Sequence, residues 1–148
     1  MKKELKVQLE GSLENQSLAR AIAAAYLSEA DPTIEEITEV KTAVSEAFSN
    51  ACVHGYKNDG GIVHLEFGFI AEDTVMIKVI DKGVGIGNIA QAMEPLFTTK
   101  PEEDRSGMGF SFMEAFMDEL EVDSTPGEGT TIRMQKEIGY NPWIYEEE

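Results

Sequence analysis

Residues 45–56 read SEAFSNACVHGY and fall near the end of a long predicted helix. Apolar residues recur at three- and four-residue steps from Ile34 to Ala51, which is helical spacing. Glu46 and Asn50 stand four residues apart and therefore share one face of this helix. A carboxylate can take a proton from a hydroxyl group, and an amide oxygen is a ligand for Mg²⁺. The same spacing is common on solvated polar faces, so taken alone it identifies no site.

Sequence signals at both ends define this helix. The pair Asp31-Pro32 breaks a preceding helix. Thr33 is the predicted N-cap, and Glu36 three residues later completes a capping box. At the other end we expect the helix to reach residues 54–55, where glycine is a common terminator.

The remaining pattern is that of a single α+β domain. Alternating apolar residues predict strands, two of which form a hairpin. The predicted strands cover residues 5–9, 63–69, 75–79, 121–124 and 130–136, and the other helices cover residues 15–30 and 109–120. Residues 90–106 are expected to form a short helical piece followed by a long loop, and such a loop in a compact domain is usually functional.

A second motif, Asp81-x-Gly83-x-Gly85, directly follows a predicted strand. Its glycines let a flat ligand approach the backbone closely. A carboxylate at this place could accept a hydrogen bond from the exocyclic amine of adenine. An ordinary Asp-Lys-Gly turn is an equally good interpretation of the stretch alone. The dinucleotide fingerprint is excluded, because its third glycine is replaced by Asn88.

Glycines also open the helix predicted after the long loop. Gly107-Met108-Gly109 stands at its start, where bare backbone N–H groups bind anions. A lone G-x-G is weak support, and neither a P-loop nor the H-R-D loop of eukaryotic-type kinases occurs in the chain. Further along, Thr130 begins the last strand and could place a hydroxyl in a base pocket, or it could belong to a simple turn.

Two basic residues precede this glycine segment. Lys100 and Arg105 could clamp a terminal phosphate and offset the charge that develops during its transfer. They also flank the acidic run of residues 101–104, so local ion pairing is an alternative, more so for Lys100 than for Arg105.

Composition limits the classes of partner. The 148 residues contain 12 Lys+Arg and 28 Asp+Glu, a net charge of −16. This acidity argues against nucleic acid, whose phosphates are bound through Lys and Arg; it suits a basic protein partner, or it only keeps the chain soluble. Cys52, the single cysteine, excludes an internal disulfide, and with His54 and His64 it is interpreted as a core or supporting residue. Without a signal peptide or an apolar run of membrane length, we expect a cytoplasmic protein.

In order along the chain, these motifs resemble the ATP-binding fold shared by gyrase, Hsp90, histidine kinases and MutL, known as the GHKL or Bergerat fold. The resemblance implies a two-layer α/β sandwich, in which helices cover one face of a mixed, mainly antiparallel sheet. We expect one ATP-binding kinase domain over residues 1–138 and an acidic C-terminal tail over residues 139–148, whose sequence departs from the family pattern.

Three stretches narrow the resemblance. Residues 45–56, 95–101 and 105–110 are similar to the anti-sigma factor serine kinases, and the likeness covers nearly the whole chain. The sporulation type matches best, and the general-stress kinases are near relatives. Histidine kinases fit less well, since they usually carry Asn where Glu46 stands and are attached to a phosphoacceptor domain.

The resemblance implies roles for individual residues. Glu46 would be the base for a substrate serine, and Arg105 would meet the γ-phosphate of ATP. Asn50 would hold Mg²⁺, and Asp81, supported by Thr130, would bind adenine. The other residues predicted to bind the nucleotide are Gly83, Gly85, Lys100, Ser106, Gly107, Met108 and Gly109. Arg20, near the middle of the first helix, resembles part of a partner-docking surface.

The resemblance also implies two activities. With ATP bound, the chain would hold a sporulation sigma factor away from RNA polymerase. It would also transfer the γ-phosphoryl group of ATP to a serine of an anti-anti-sigma factor, leaving ADP. A homodimer is implied, without direct contact to nucleic acid or membrane. Two alternatives stay open: a general-stress anti-sigma kinase, and a nucleotide-gated sequestering module with negligible phosphoryl transfer.

Overall fold

The computed structural model describes residues 1–94 and 109–139, and a five-stranded sheet forms one of its two layers. In chain order the strands are β1 (Lys2–Glu10), β2 (Ile62–Phe69), β3 (Thr74–Asp81), β4 (Glu119–Thr125) and β5 (Gly129–Glu137). Their order across the sheet is β1-β2-β3-β5-β4, and every neighbouring pair is antiparallel. The predicted α+β class is confirmed, and the sheet is antiparallel throughout these described strands rather than mixed.

Helices form the second layer. They are α1 (Gln16–Leu27), α2 (Ile34–Asn50), α3 (Ile89–Ala92) and α4 (Gly109–Phe116), and α2 contacts both α1 and α4. The core lies between the layers, because alternate strand residues point toward the helices and are removed from water. Leu65, Ile77 and Met134 of the sheet are fully buried in the same cluster as Phe48 of α2.

The start of α2 is held by the predicted capping box. The Thr33 hydroxyl accepts a hydrogen bond from the backbone N–H of Glu36 at 3.1 Å. In return, the Glu36 carboxylate accepts from the backbone N–H of Thr33 at 2.8 Å. The same carboxylate oxygen also accepts from the N–H of Gly139 at 3.0 Å, so this cap joins the start of α2 to the end of the described chain.

The end of α2 changes geometry directly after Asn50. Residues Ala51–Gly55 continue the helix as a π-helical turn, and the N–H of Tyr56 closes it on the Ala51 carbonyl at 2.9 Å. The predicted extent of the helix to residues 54–55 is therefore confirmed. Such turns are rare and often occur at functional sites, because they widen the helix and displace the residues that follow.

The prediction of a helix over residues 109–120 is wrong at its end. Helix α4 ends at Phe116, and β4 begins at Glu119, two residues earlier than predicted. The reason is strand pairing: the N–H of Asp118 already donates to the Gln135 carbonyl of β5 at 2.9 Å. Helical periodicity in this stretch is overridden by contacts with a distant strand.

Helix α3 matches the short helical piece predicted after β3. The predicted long loop, as residues 95–108, and the tail beyond Gly139 lie outside the described residues. Among the helices within residues 1–94 and 109–139, none has both the length and the apolar character needed to cross a bilayer.

Candidate functional site

A cavity of about 260 Å³ opens between the second half of α2, the segment after β3 and the start of α4. Its volume is slightly below the roughly 300–1,000 Å³ that is typical of small-molecule sites. The lining includes Glu46, Asn50, His54, Gly85, Gly109 and Met113. The cavity therefore brings together residues from three of the four motifs found in the sequence.

The α2 side of the cavity carries Glu46, Asn50 and His54 at four-residue intervals. All three side chains are half-buried, so they are held by the protein but reach the cavity. Gly109 lies close to the acid: a Cβ atom there would stand 3.2 Å from Oε2 of Glu46. Because Gly109 carries no side chain, the start of α4 leaves space beside the Glu46 carboxylate.

Asp81 is the last residue of β3 and is only 4% exposed. Burial raises the pKa of Asp81, while hydrogen bonds from the backbone N–H groups of Gly83 and Thr130 oppose the shift. The Gly83 bond reaches Oδ1 at 2.9 Å. Since a carboxylate offers about four lone-pair sites, it retains acceptor capacity for a ligand amine.

Asp81 and Thr130 are neighbours across β3 and β5, but neither lines the cavity itself. Gly55, at the end of the π-helical turn, lies against the carboxyl group, and a Cβ atom there would be 2.8 Å from its carbon. Burial raises the pKa of the Cys52 thiol to about 12, with a smaller contribution from the charge of Asp81. The thiol therefore stays protonated at neutral pH, and the interpretation of Cys52 as a core residue is confirmed by its burial.

Known proteins share both the motifs and the fold. The histidine kinase-like ATPase domain family matches residues 9–136. The anti-sigma F factor of Thermoanaerobacter sp. (strain X514) is 56% identical over 126 residues, which cover 85% of this chain and 87% of the relative. The chain belongs to the anti-sigma F factors of this ATPase family. The anti-sigma F factor of Geobacillus thermodenitrificans is 51% identical over 139 residues, 93% of this chain and 94% of the relative.

A solved structure agrees with the fold of this family member. The crystal structure of the RsbU and RsbW domains of a Mycobacterium tuberculosis protein matches it with a TM-score of 0.68 at 21% identity. The match covers 93% of this chain, which spans about a third (33%) of the length of that solved chain. The resemblance read from the motifs is thus confirmed, and membership of an ATPase domain family implies that the chain binds ATP.

The structure groups the predicted site residues of this anti-sigma F family member. Glu46, Asn50, Gly85 and Gly109 line the cavity. Asp81, Gly83 and Thr130 lie at the adjoining end of β3 and β5. Arg20 is exposed on α1 and does not line the cavity. The remaining predicted residues, Lys100, Arg105, Ser106, Gly107 and Met108, lie outside the described residues.

Sequence reasoning predicts only part of the lining. It places His54 on the helix face of Glu46 and Asn50 but interprets it as a core or supporting residue, whereas the half-buried His54 lines the cavity. The signal was present, because His54 repeats the four-residue step that joins Glu46 to Asn50. Apolar lining by Val84, Ile86 and Met113 carried no comparable signal, since isolated apolar residues are found everywhere in a chain.

Proposed function

We propose that this chain is an anti-sigma factor that binds a sporulation sigma factor of the sigma F type. We further propose that it is a serine kinase that inactivates the anti-anti-sigma factor with ATP. The 51–56% identical relatives named anti-sigma F factor support the first activity. Glu46 on the cavity wall is the observation that carries the second, because a module that only binds nucleotide needs no base.

ATP would occupy the cavity with its base near Asp81 and its phosphates toward α4. Asp81 would accept a hydrogen bond from the adenine amine, and Thr130 lies beside it on the next strand. The start of α4 at Gly109 offers backbone N–H groups to phosphate. We propose further phosphate contacts from Lys100, Ser106, Gly107 and Met108.

Asn50 would hold Mg²⁺ through its amide oxygen. Magnesium takes oxygen ligands and commonly combines one or two protein groups with substrate phosphates and water. A half-buried amide on the cavity wall, one helical turn from the Glu46 carboxylate, suits this ligand set. When bound, the ion would offset negative charge on the transferred phosphoryl group.

In the transfer step, the oxygen of the substrate serine would attack the γ-phosphorus of ATP. Glu46 would accept the hydroxyl proton as the new oxygen–phosphorus bond forms. The bond between the γ-phosphorus and the β–γ bridging oxygen breaks, and ADP leaves with those electrons. Arg105 would stabilise charge on the γ-phosphoryl group, and the rest of the catalysis is positioning.

Charge complementarity supports the sigma-factor interaction. The chain carries a net charge of −16, whereas a protein that binds DNA presents a basic surface. Association through such surfaces weakens as salt is added. Arg20 on the exposed face of α1 is proposed as a partner contact. A cytoplasmic homodimer without direct contact to nucleic acid or membrane completes the proposal.

One experiment tests both activities. The full chain is incubated with γ-labelled ATP, Mg²⁺, the sigma factor and the anti-anti-sigma factor, with ADP as the nucleotide control. We expect labelled serine on the anti-anti-sigma factor and retention of the sigma factor that requires ATP. Retention without label would favour the sequestering module, and retention of a general-stress sigma factor from cell extract would favour the other alternative. If the anti-anti-sigma factor is not labelled and the sigma factor is not retained, the proposal is refuted.

A further inference from the structure

The segment after Asp81 is held in one conformation by bonds from several elements. Residues 82–86 are called here the β3 loop, and Val84, Gly85 and Ile86 of this loop line the cavity. In the middle of the loop, the N–H of Val84 donates to the Gly55 carbonyl at 2.9 Å. The Val84 carbonyl accepts from the N–H of Gly127 at 2.7 Å, so the loop is tied to the end of the α2 segment and to the β4–β5 turn.

Tyr56 holds the first residue of the β3 loop. Its hydroxyl accepts from the backbone N–H of Lys82 at 2.7 Å and donates to the carbonyl of Ile62 at 2.6 Å. The ring lies directly on Gly61, where a Cβ atom would come within 2.5 Å of a ring carbon. The Tyr56 side chain is therefore held against the start of β2. Through its hydroxyl it also holds the backbone of Lys82, the residue next to Asp81.

Ser124 holds the last residue of the β3 loop from the opposite side. Its hydroxyl accepts from the backbone N–H of Ile86 at 2.7 Å and donates to the Gly129 carbonyl at 3.0 Å. The hydroxyl of Thr130 is 2.8 Å away and acts as the donor of that pair, since the Ser124 proton is already used. All the hydrogen-bonding capacity of the Ser124 hydroxyl is thereby taken.

We infer that Tyr56 and Ser124 are positioning residues that preset the β3 loop for the adenine base. The inference rests on the proposed function, because it assigns the base to Asp81 at the head of this loop. Neither hydroxyl belongs to a residue that lines the cavity, so each acts through the backbone it holds. Loss of either bond would let the loop leave the binding-competent conformation. The apparent affinity for ATP would then fall in proportion to the fraction of molecules that remain in that conformation.

Matched variants separate this role from general stability. Tyr56→Phe and Ser124→Ala are compared with Tyr26→Phe and Ser28→Ala. The Tyr26 hydroxyl donates to the Lys3 carbonyl at 2.6 Å and the Ser28 hydroxyl to the Ala25 carbonyl at 2.7 Å, both outside the cavity lining. Titration calorimetry of the full chain with Mg²⁺ measures the Kd for ATP and for ITP, whose base carries an oxo group in place of the amine.

We expect the Kd for ATP to rise about 3- to 10-fold in Tyr56→Phe and Ser124→Ala, and less than about 2-fold in the controls. The Kd for ITP should rise less than that for ATP, because ITP lacks the amine that Asp81 would bind. Suppose that the wild type prefers ATP to ITP but Tyr56→Phe and Ser124→Ala bind ATP as tightly as their controls do. The inference would then be overturned, and the proposed role of Asp81 would stand. Equal wild-type affinity for ATP and ITP would overturn the role of Asp81 and the inference with it.

Discussion

Gly55 and Gly83 meet backbone to backbone. A Cβ atom on Gly83 would lie 2.0 Å from the carbonyl oxygen of Gly55, and the same oxygen accepts the N–H of Val84 at 2.9 Å. The contact joins the end of the helix that carries Asn50 to the loop that follows Asp81. Two motifs that are far apart in sequence are thus in direct backbone contact, and a side chain at this contact has no space.

Gly83→Ala should therefore separate the two motifs. The obstructing atoms are backbone atoms, which cannot rotate away, so we expect the free energy of unfolding to fall by about 1–3 kcal/mol. ATP affinity should fall as well, because the loop must move away from Gly55. Urea denaturation and calorimetric titration measure the two effects. Gly87→Ala is the stability control, since nothing lies within 4 Å of a Cβ atom there; equal stability of the two variants would contradict the prediction.

Glu46→Gln should distinguish binding from chemistry. The amide keeps the shape of the side chain beside Gly109 but cannot take a proton from serine at neutral pH. We expect ATP affinity within about 3-fold of wild type and a loss of phosphoryl transfer of about 10²-fold or more. Single-turnover transfer to the anti-anti-sigma factor measures the rate. Transfer at nearly the wild-type rate would remove Glu46 from the role of base.

Asp81→Asn should change how stability depends on pH. The pKa of Asp81 is raised by burial, so between the ordinary value of 3.8 and the raised value the native state binds more protons than the unfolded state. The wild-type free energy of unfolding therefore falls as pH rises through this window. The variant lacks this titration, so its stability relative to wild type should increase with pH and then become constant.

Urea denaturation of both proteins from pH 3.5 to 7 would measure the difference between their free energies of unfolding. Repulsion among the acidic surface residues is nearly the same in both proteins, so it largely cancels in that difference. A difference that does not vary with pH would contradict the prediction. At pH 7 the same variant should bind ATP more weakly. Its one amide oxygen would keep the bond from the Gly83 N–H, and the amide nitrogen that replaces the other carboxylate oxygen cannot accept from the adenine amine.

Lys136→Met should loosen the end of α4. The buried Lys136 ammonium donates to the Phe116 carbonyl at 2.6 Å and lies 2.9 Å from the Glu39 carboxylate. Its removal leaves both acceptors poorly compensated, so we expect a loss of about 2–4 kcal/mol. The control is Arg133→Met on the same strand, whose pair with Glu121 is more exposed and should contribute less than about 1 kcal/mol. Urea denaturation measures both losses. Similar losses of unfolding free energy in Lys136→Met and Arg133→Met would contradict a stabilising role for Lys136 at the end of α4.

Local features of the fold were predictable because each depends on residues close together in sequence. The capping box joins Thr33 to Glu36, and side chains in each strand alternate between two faces. The end of α4 was not predictable, since it is set by the bond from Asp118 to Gln135 on another strand. The pairing of β1 with β2 and of β3 with β5 likewise joins segments that are far apart in sequence.

The candidate site likewise has features that were predictable from local spacing and features that were not. Helical spacing alone puts Glu46 and Asn50 on one face, and the cavity opens on that face. The hydrogen bonds that the Tyr56 and Ser124 hydroxyls accept from the backbone N–H groups of Lys82 and Ile86 have no sequence signature, because Tyr and Ser occur in many other settings.

By itself, the sequence determined the α+β class, the capped helix that carries Glu46 and Asn50, and, through its motifs, the ATP-binding family. These properties depend on spacing within single elements. Only the tertiary structure decided that Gly55 meets Gly83, that Asp81 lies beside Thr130, and that Gly109 stands close to Glu46. Each of those contacts joins segments that come together only when the sheet and the helices pack, and no local spacing specifies them.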